Sequence, residues 1–260
     1  MIVKEVNCKS ILNRTTLGFD FCINPYIGCS NSCVYCYARF MLRYTKHKER
    51  WGSFVDVKSN AVNMLKKDLR RKPMRKCSSV FLSSVTDPYQ FVECYYKLTR
   101  SILETLPKNF RPTILTKSSL VIRDIDVLKE FEEVEVGMTI TSLNDWVNFE
   151  PNSSPVEERI NALRELQKEG IGTYVFLGPV LPYITEKDLD ALMDSISFVD
   201  YVMVDRLNIK CNNWYSIRNV LVRKYPDLLE KFSEAVFSNN YFSDFKERIK
   251  SFRNDLDFCY

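Results

Sequence analysis

Residues 24–39 read Asn24-Pro25-Tyr26-Ile27-Gly28-Cys29-Ser30-Asn31-Ser32-Cys33-Val34-Tyr35-Cys36-Tyr37-Ala38-Arg39, and their three cysteines follow the spacing C-x3-C-x2-C. A short β-rich run, residues 21–24, precedes them, so the cysteines lie on a loop after a predicted strand. Three thiolates on one loop can surround an iron–sulfur cubane, because thiolates are the protein ligands that such clusters require. Three ligands for four irons leave one iron open, and open metal positions are where substrates bind. We therefore predict a [4Fe–4S] cluster on Cys29, Cys33 and Cys36, with Gly28 allowing close approach of the backbone.

Downstream of the cysteines, β-rich runs alternate with amphipathic stretches. The runs read as buried strands at residues 80–84, 113–117, 136–141, 173–177 and 201–204. With the run before the cysteines they make about six β-α units, which require a parallel sheet covered by helices. At roughly 30 residues per unit, the α/β chain is predicted to form a partial (β/α)6 TIM-like barrel rather than a closed eight-stranded one.

The chain shows no linker or internal repeat, so residues 1–260 are predicted to form one domain. Residues 214–252 have a helical pattern and are expected to form a C-terminal helical cap. Ligands in parallel α/β folds gather at the carboxyl ends of the strands. The segments that follow the predicted strands are therefore the ones expected to carry the chemistry.

Composition limits the class of protein. The chain has 260 residues, 45% of them hydrophobic, and a net charge of +4 that permits an anionic partner without requiring one. No apolar run approaches the ~18–20 residues of a membrane span, and residues 1–14 lack a secretory signal, so we expect a cytoplasmic protein without membrane association. The nine cysteines are not expected to form disulfides in a cytosolic protein. The six outside the cluster are expected to be buried small side chains: Cys8, Cys22, Cys77, Cys94, Cys211 and Cys259.

A zinc site is the alternative interpretation of the cysteines. Cys29, Cys33 and Cys36 would be joined by His47, the single histidine, and the chain would be a nucleic-acid-binding protein with a structural metal. No second C-x2-C pair is present, and His47 lies among charged residues in what reads as a solvated segment. Residues 66–76 carry seven basic side chains against one acid, which fits phosphate contacts or a solvated helix face.

The cysteine spacing resembles the signature of the radical S-adenosylmethionine (SAM) superfamily. That resemblance implies a partial (β/α)6 barrel with the cluster on the loop after the first strand. It also implies that SAM chelates the open iron and is cleaved reductively to methionine and a 5′-deoxyadenosyl radical, which abstracts hydrogen from a substrate. The enzyme would be of the lyase or transferase type and would need an electron donor such as a flavodoxin or a ferredoxin-like protein.

The neighbouring residues resemble the spore photoproduct lyase-like branch over residues 20–210, the predicted barrel core. The matching motifs are Asn24-Pro25-Tyr26, Tyr37-Ala38-Arg39, Ser83-Ser84-Val85-Thr86-Asp87-Pro88-Tyr89-Gln90, Thr116-Lys117 and residues 139–142. The resemblance implies that Tyr37 contacts SAM through its ribose and that Lys117 pairs with the SAM carboxylate. Further cofactor contacts are implied for Thr86, Asp87, Thr141, Ser142 and Gly178, the last beginning an apolar backing for the adenine that extends to Leu181.

One departure from the branch concerns Ser84. The lyase has at this position a cysteine that returns a hydrogen to the repaired thymine, and a hydroxyl O–H bond is too strong for that role. Repair of the spore DNA lesion is therefore not expected. Tyr35 matches a tyrosine proposed to relay the radical and is taken as a pocket residue with a relay role. Cys211, together with Arg206 and Asn208, follows the sixth strand and is the candidate for substrate contact; the substrate is unknown, and nucleic acid is one candidate.

Overall fold

The computed structural model describes residues 1–237 and 239–260, and their strands form two sheets. The strands are β1 (Ile2–Val6), β2 (Asn13–Arg14), β3 (Phe21–Ile23), β4 (Tyr26–Ile27), β5 (Phe54–Lys58), β6 (Ser79–Leu82), β7 (Arg111–Thr116), β8 (Glu135–Thr139), β9 (Gly172–Val180), β10 (Tyr201–Arg206) and β11 (Leu256–Phe258).

The larger sheet has the order β2-β3-β6-β7-β8-β9-β10-β11. All its pairs are parallel except the antiparallel pair at one edge, β2 with β3. Strands β3 and β6 to β10 are the six strands that the sequence predicts. In the described part of the chain the two edge strands do not pair with each other. The prediction of a partial (β/α)6 barrel is confirmed, and the parallel strands bring their carboxyl ends to one side.

Side chains alternate between the two faces of this sheet, as the two-residue period of a strand requires. On β6, Val80 and Leu82 are fully buried against the helices, whereas Phe81 lines the interior of the barrel. Gly137 of β8 also faces inward, where an added Cβ would lie 2.2 Å from the ring of Tyr174. The absence of a side chain at Gly137 therefore lets that ring extend across the interior.

Helices cover the outer face of the sheet. They are α1 (Ala61–Arg71), α2 (Glu93–Tyr96), α3 (Leu98–Thr105), α4 (Ile125–Leu128), α5 (Val156–Lys168), α6 (Leu189–Ser195), α7 (Asn213–Lys224), α8 (Leu229–Phe237) and α9 (Asn239–Lys250). The last three helices lie in the segment predicted to be helical. After them the chain returns to the sheet as β11, which pairs with β10. The sequence did not predict β11. Among the residues described, no helix combines the length and apolarity needed to cross a bilayer.

Two further features differ from the sequence predictions. The smaller sheet, β1-β5-β4, was not predicted. Of the six cysteines expected to be buried, only Cys22 is buried. Cys8 and Cys77 are half-buried, and Cys94, Cys211 and Cys259 are exposed, because each of these three lies at a helix, turn or terminal position on the surface. The basic side chains of residues 66–76 are mostly exposed, on the last turns of α1 and the loop that follows.

Candidate active site

The three cysteines of the loop face one cavity of about 790 Å³ at the carboxyl ends of the strands. Neighbouring segments fix this loop through its backbone. The Ser30 amide donates to Gln90 Oε1 at 2.8 Å, and the Ser30 carbonyl accepts from Asn152 Nδ2 at 2.9 Å. The Val34 amide donates to the Phe149 carbonyl at 2.9 Å. The cysteine loop is thus anchored on both sides before any ligand binds.

The structure requires a glycine at position 28 for a reason that the sequence did not predict. Its φ is +87°, a region that side chains disfavour, and an added Cβ would lie 2.4 Å from the carbonyl oxygen of Phe54. The close neighbour is therefore the backbone of β5, on the outer side of the loop. The small sheet that the sequence missed shapes the turn that leads into Cys29.

Burial dominates the electrostatics of the three thiols. It raises the pKa of Cys33 to about 12 and the pKa of Cys29 well above its usual range. The positive charge of Lys117 acts in the opposite direction on Cys33 and on Cys36. Thiolates in this cavity therefore need a cation to compensate their charge, and a metal ion supplies it.

The donor set fits an iron–sulfur cubane. Three soft ligands, the buried Cys29 and Cys33 and the half-buried Cys36, stand on one loop and face one cavity, and in a cubane each thiolate binds a separate iron. Over residues 1–237 and 239–260, no three His, Cys, Asp or Glu side chains converge as the ligands of a single metal ion would. Within the described residues the three thiols therefore do not form the ligand set of a single zinc ion.

His47 is not solvated, contrary to the sequence interpretation. Its ring is stacked on Phe54 with centroids 3.8 Å apart. Its Nδ1 lies 3.0 Å from Glu49 Oε2, and its Nε2 lies 2.9 Å from Asp56 Oδ1. Both ring nitrogens are therefore engaged by carboxylates, and the residue does not line the cavity that holds the cysteines. This leaves the zinc interpretation without its fourth ligand.

Lys117 enters the cavity from the end of β7. Its ammonium lies 5.8 Å from the centroid of the Tyr35 ring and has no ion pair within the described ranges. Burial acts to lower the pKa of Lys117, but the negative charges of Cys33, Glu150 and Asp87 outweigh it and raise the pKa. The lysine therefore stays protonated and can accept an anionic group of a ligand.

Tyr37, Thr86, Asp87 and Gly178 all line the same cavity. The Tyr37 hydroxyl donates to the Ser84 carbonyl at 2.6 Å, and the Thr86 hydroxyl donates to the Gly28 carbonyl at 2.5 Å. Gly178 precedes a cis peptide bond to Pro179, which also lines the cavity. These residues lie where the sequence places them, although the two hydroxyls are engaged with backbone.

Asp87 is the most heavily bonded of these residues. Its carboxylate accepts from Asn31 Nδ2 at 2.8 Å, from the Thr116 hydroxyl at 2.6 Å and from the Lys117 amide at 2.8 Å. It therefore ties the cysteine loop to the end of β7. This geometry supports a positioning role beside the cofactor contact implied by the resemblance.

Thr141 and Ser142 do not reach the cavity. Both are fully buried; the Thr141 hydroxyl lies 3.4 Å from Glu150 Oε1, and Ser142 Oγ accepts from the Asp145 amide at 3.0 Å. They bond inside the loop after β8 because that loop folds back on itself. The structure therefore does not support the cofactor contacts expected for them.

Cys211 is likewise outside the cavity. It is exposed, in a turn at φ +55°, while Arg206 and Asn208 of the same segment line the cavity as predicted. The thiol that contacts Ser84 is Cys22, whose Sγ lies 3.3 Å from Ser84 Oγ. Nothing in the sequence favours Cys22 over the other cysteines, because the strand register that brings its thiol to Ser84 is a tertiary property.

Glu150 and Arg159 form a buried ion pair that the sequence did not predict. Arg159 Nη1 lies 2.6 Å from Glu150 Oε2, and both side chains are 0% exposed. The hydroxyl of Tyr35 donates a short hydrogen bond to Glu150 Oε1. Burial acts to raise the pKa of Glu150, but Arg159 and Lys117 outweigh it and keep the pKa below its usual value. An ionised carboxylate therefore holds Tyr35 against the cysteines.

Comparisons with known proteins show which family the chain belongs to. The family model of the radical SAM superfamily matches residues 23–196. An uncharacterized protein of Methanocaldococcus jannaschii is 34% identical over 250 residues, covering 95% of this chain and 92% of that protein. A protein of Pseudomonas phage M6 named radical SAM Nα-GlyT isomerase is 26% identical over 180 residues, covering 67% of this chain and 36% of that protein.

The fold is also that of a solved structure. A spore photoproduct lyase variant with bound AdoMet and dinucleoside spore photoproduct superposes with a TM-score of 0.69 at 16% identity, over 99% of this chain and 81% of that one. The family match spans the cysteine loop and strands β6 to β9, which build the cavity. The chain is therefore an enzyme of the radical SAM superfamily, with the fold of spore photoproduct lyase.

Proposed function

We propose that Cys29, Cys33 and Cys36 hold a [4Fe–4S] cluster and that the enzyme cleaves SAM reductively. The observation that carries this proposal is the meeting of the three thiols and an ammonium without an ion pair in the described ranges, Lys117, in one cavity. When bound, the cluster would supply the electron for the reductive cleavage of SAM to methionine and a 5′-deoxyadenosyl radical, which would abstract hydrogen from the substrate.

Lys117 binds the carboxylate of SAM in this proposal. Its ammonium is held near the thiols by the end of β7, and the Asp87 carboxylate fixes the backbone there through the Lys117 amide. A protonated lysine without a protein counter-ion gains more from an incoming carboxylate than a paired one, because no existing ion pair has to be broken. Tyr37 and Gly178 line the same cavity and would contact the nucleoside.

Tyr35 is a pocket residue whose hydroxyl is already committed to Glu150. Its ring faces the Lys117 ammonium, so it limits the positions that this side chain can adopt. To relay a radical, Tyr35 would have to lose an electron while its phenolic proton moves to Glu150. Holding Lys117 in position requires no such step, and we propose this positioning as the primary role of Tyr35.

We propose a nucleoside-containing molecule as the substrate class to test first. The phage relative is named a Nα-GlyT isomerase, and the solved lyase variant carries a dinucleoside. The deep wall of the cavity is lined by rings, including Phe81, Tyr174 and Phe176, which suit the face of a base. Repair of the spore lesion is not proposed, because Ser84 stands where the lyase has its donor cysteine.

Electron paramagnetic resonance tests the proposal. The anaerobically reconstituted and reduced protein should show a cluster signal that changes when SAM is added, because SAM would occupy the open iron. 5′-Deoxyadenosine, which lacks the amino and carboxylate groups, should leave the signal unchanged. A cluster signal that stays unchanged at a saturating concentration of SAM would contradict the proposal.

Lys117→Ala should weaken SAM binding while leaving cluster loading intact. A charge-assisted hydrogen bond at a partly desolvated site contributes roughly 1.5–3 kcal/mol, which corresponds to about a tenfold to a hundredfold change in Kd. Equilibrium dialysis with labelled SAM measures this change, and the iron content checks the cluster. Lys129→Ala is the matched control, because Lys129 pairs with Glu169 on the surface. An unchanged Kd for Lys117→Ala would remove the assigned role.

A further inference from the structure

The guanidinium of Arg39 contacts the cysteine loop without lining the cavity that the three cysteines face. Its Nη2 donates to the Val34 carbonyl at 2.7 Å and to the Cys33 carbonyl at 3.5 Å. Its Nη1 donates to Ser216 Oγ on α7 at 2.7 Å. The side chain is therefore fixed between α7 and the turn that joins the second cysteine to the third.

Arg39 carries a charge that no carboxylate neutralises. Its acceptors are two carbonyls and a hydroxyl, and in the part of the chain that the structure describes no Asp or Glu forms an ion pair with it. The residue is half-buried, and its Nε is buried without a hydrogen-bond partner among residues 1–237 and 239–260. A guanidinium stays protonated in proteins, and a charge withdrawn from water is normally compensated by an opposite one. The hydrogen-bond partners of Arg39 do not supply that opposite charge.

The cysteine thiolates can supply it. Burial lowers the pKa of Arg39, and the negative charges of Cys36 and Cys33 act in the opposite direction. Lys117 is the other cation that acts on these two thiols, and it lies inside the cavity. In the proposed function Lys117 binds the carboxylate of SAM, so its charge is then shared with the ligand. Arg39 does not line the cavity, so its charge remains available to the thiolates when SAM is bound.

We propose that Arg39 is the counter-ion of the cluster site, and that its fixed positive charge raises the reduction potential there. This inference rests on the proposed function, since it presupposes a cluster on the cysteines. An added electron makes the site more negative, and a cation held close by stabilises the more negative state. Removing the charge of Arg39 should therefore lower the reduction potential.

A purely mechanical role is the competing explanation, because Arg39 also ties the cysteine loop to α7. Asn213, the first residue of α7, offers an internal comparison. It is 0% exposed, and its Nδ2 donates to the Tyr35 carbonyl at 2.8 Å. Asn213 thus holds the same turn between the cysteines without carrying a charge. Loss of its side chain should loosen the turn while leaving the electrostatics of the thiolates unchanged.

The test is an anaerobic redox titration of the reconstituted full chain, followed by the electron paramagnetic resonance signal of the reduced cluster. Arg39→Met removes the charge, whereas Arg39→Lys keeps the charge and loses the planar set of donors. Asn213→Ala is the matched neutral control on the same turn. The iron content and the rate of iron transfer to a chelator are measured in parallel, because they report how firmly the loop holds the cluster.

We expect Arg39→Met to shift the equilibrium at least tenfold toward the oxidised cluster, a fall of about 59 mV or more for a one-electron couple. Arg39→Lys and Asn213→Ala should stay within about threefold of the wild-type equilibrium, because neither changes the net charge. Both variants should release iron to the chelator faster than the wild type, because each loses hydrogen bonds to the turn.

A wild-type potential in Arg39→Met, or an equal fall in Arg39→Lys or Asn213→Ala, would overturn the inference. If Arg39→Met takes up no iron, Arg39→Lys decides the matter. A loaded cluster with the wild-type potential in Arg39→Lys then supports the role of the charge, and any other result overturns it. A wild type that takes up no cluster would instead contradict the proposed function.

Discussion

Cys33→Ala should abolish the broad iron–sulfur absorbance near ~400 nm and sharply lower the iron content after anaerobic reconstitution, because thiolates are the ligands on which such a cluster depends. Cys33 is buried in the middle of the loop, between the anchors at Ser30 and Val34. No other described thiol lines the cavity besides Cys29 and Cys36, so a substitute ligand is not at hand. The same loss is expected for those two cysteines.

Cys94→Ala and Cys211→Ala are the controls for this experiment. Both thiols are exposed and outside the cavity that the three cysteines share. Their iron content and absorbance should equal those of the wild type. Normal loading of the Cys33→Ala protein would remove the cluster assignment.

Glu150→Ala should destabilise the cluster-free protein by about 3–5 kcal/mol, because it leaves a fully buried arginine without its counter-charge. Arg159 also donates from Nε to the Ser154 carbonyl at 2.7 Å and from Nη1 to the Thr139 carbonyl at 2.8 Å. Its guanidinium is therefore held in place and cannot turn toward solvent. Equilibrium unfolding in urea measures the loss.

Removing both charges should lower the free energy of unfolding much less than removing one. In Glu150→Gln/Arg159→Met the amide oxygen can still accept from Tyr35, and neither charge of the pair remains, so the unfolding free energy should recover most of the loss. Equal stability of the wild type and Glu150→Ala would show that the pair is not the anchor described here. A double variant no more stable than Glu150→Ala would show that packing, and not charge, accounts for most of the lost stability.

The barrel could be predicted from sequence because its signals are local. Buried runs such as those at 113–117 and 201–204 are short, apolar and separated by helical patterns, so their number and order follow from chain positions alone. The small sheet could not be predicted in this way. Its central strand β5 reads Phe54-Val55-Asp56-Val57-Lys58, and the buried Asp56 in it is explained only by His47 from an earlier segment.

The same distinction between local and tertiary signals applies to the candidate site. Short motifs at strand ends contain the three cysteines, Tyr37, Asp87 and Lys117, and the structure brings all of them to one cavity. Thr141 and Cys211 also follow predicted strands, yet neither lines it. Which way a residue after a strand turns depends on how its loop packs, and position in the chain does not specify that.

Glu150 shows what sequence alone leaves out. It belongs to no recognisable motif, and it acts through Arg159 and through Tyr35, which lies far away in the sequence. A buried ion pair is a tertiary contact, so it forms only once the strands and their loops are assembled.

Product analysis is the most direct test of reductive SAM cleavage. The reconstituted wild type, incubated anaerobically with SAM and dithionite, should form 5′-deoxyadenosine and methionine in equal amounts, slowly without substrate and faster when the substrate is present. The Cys33→Ala protein under the same conditions should form neither. A fully loaded and reduced wild type that produces no 5′-deoxyadenosine, with or without nucleoside substrates, would contradict the account.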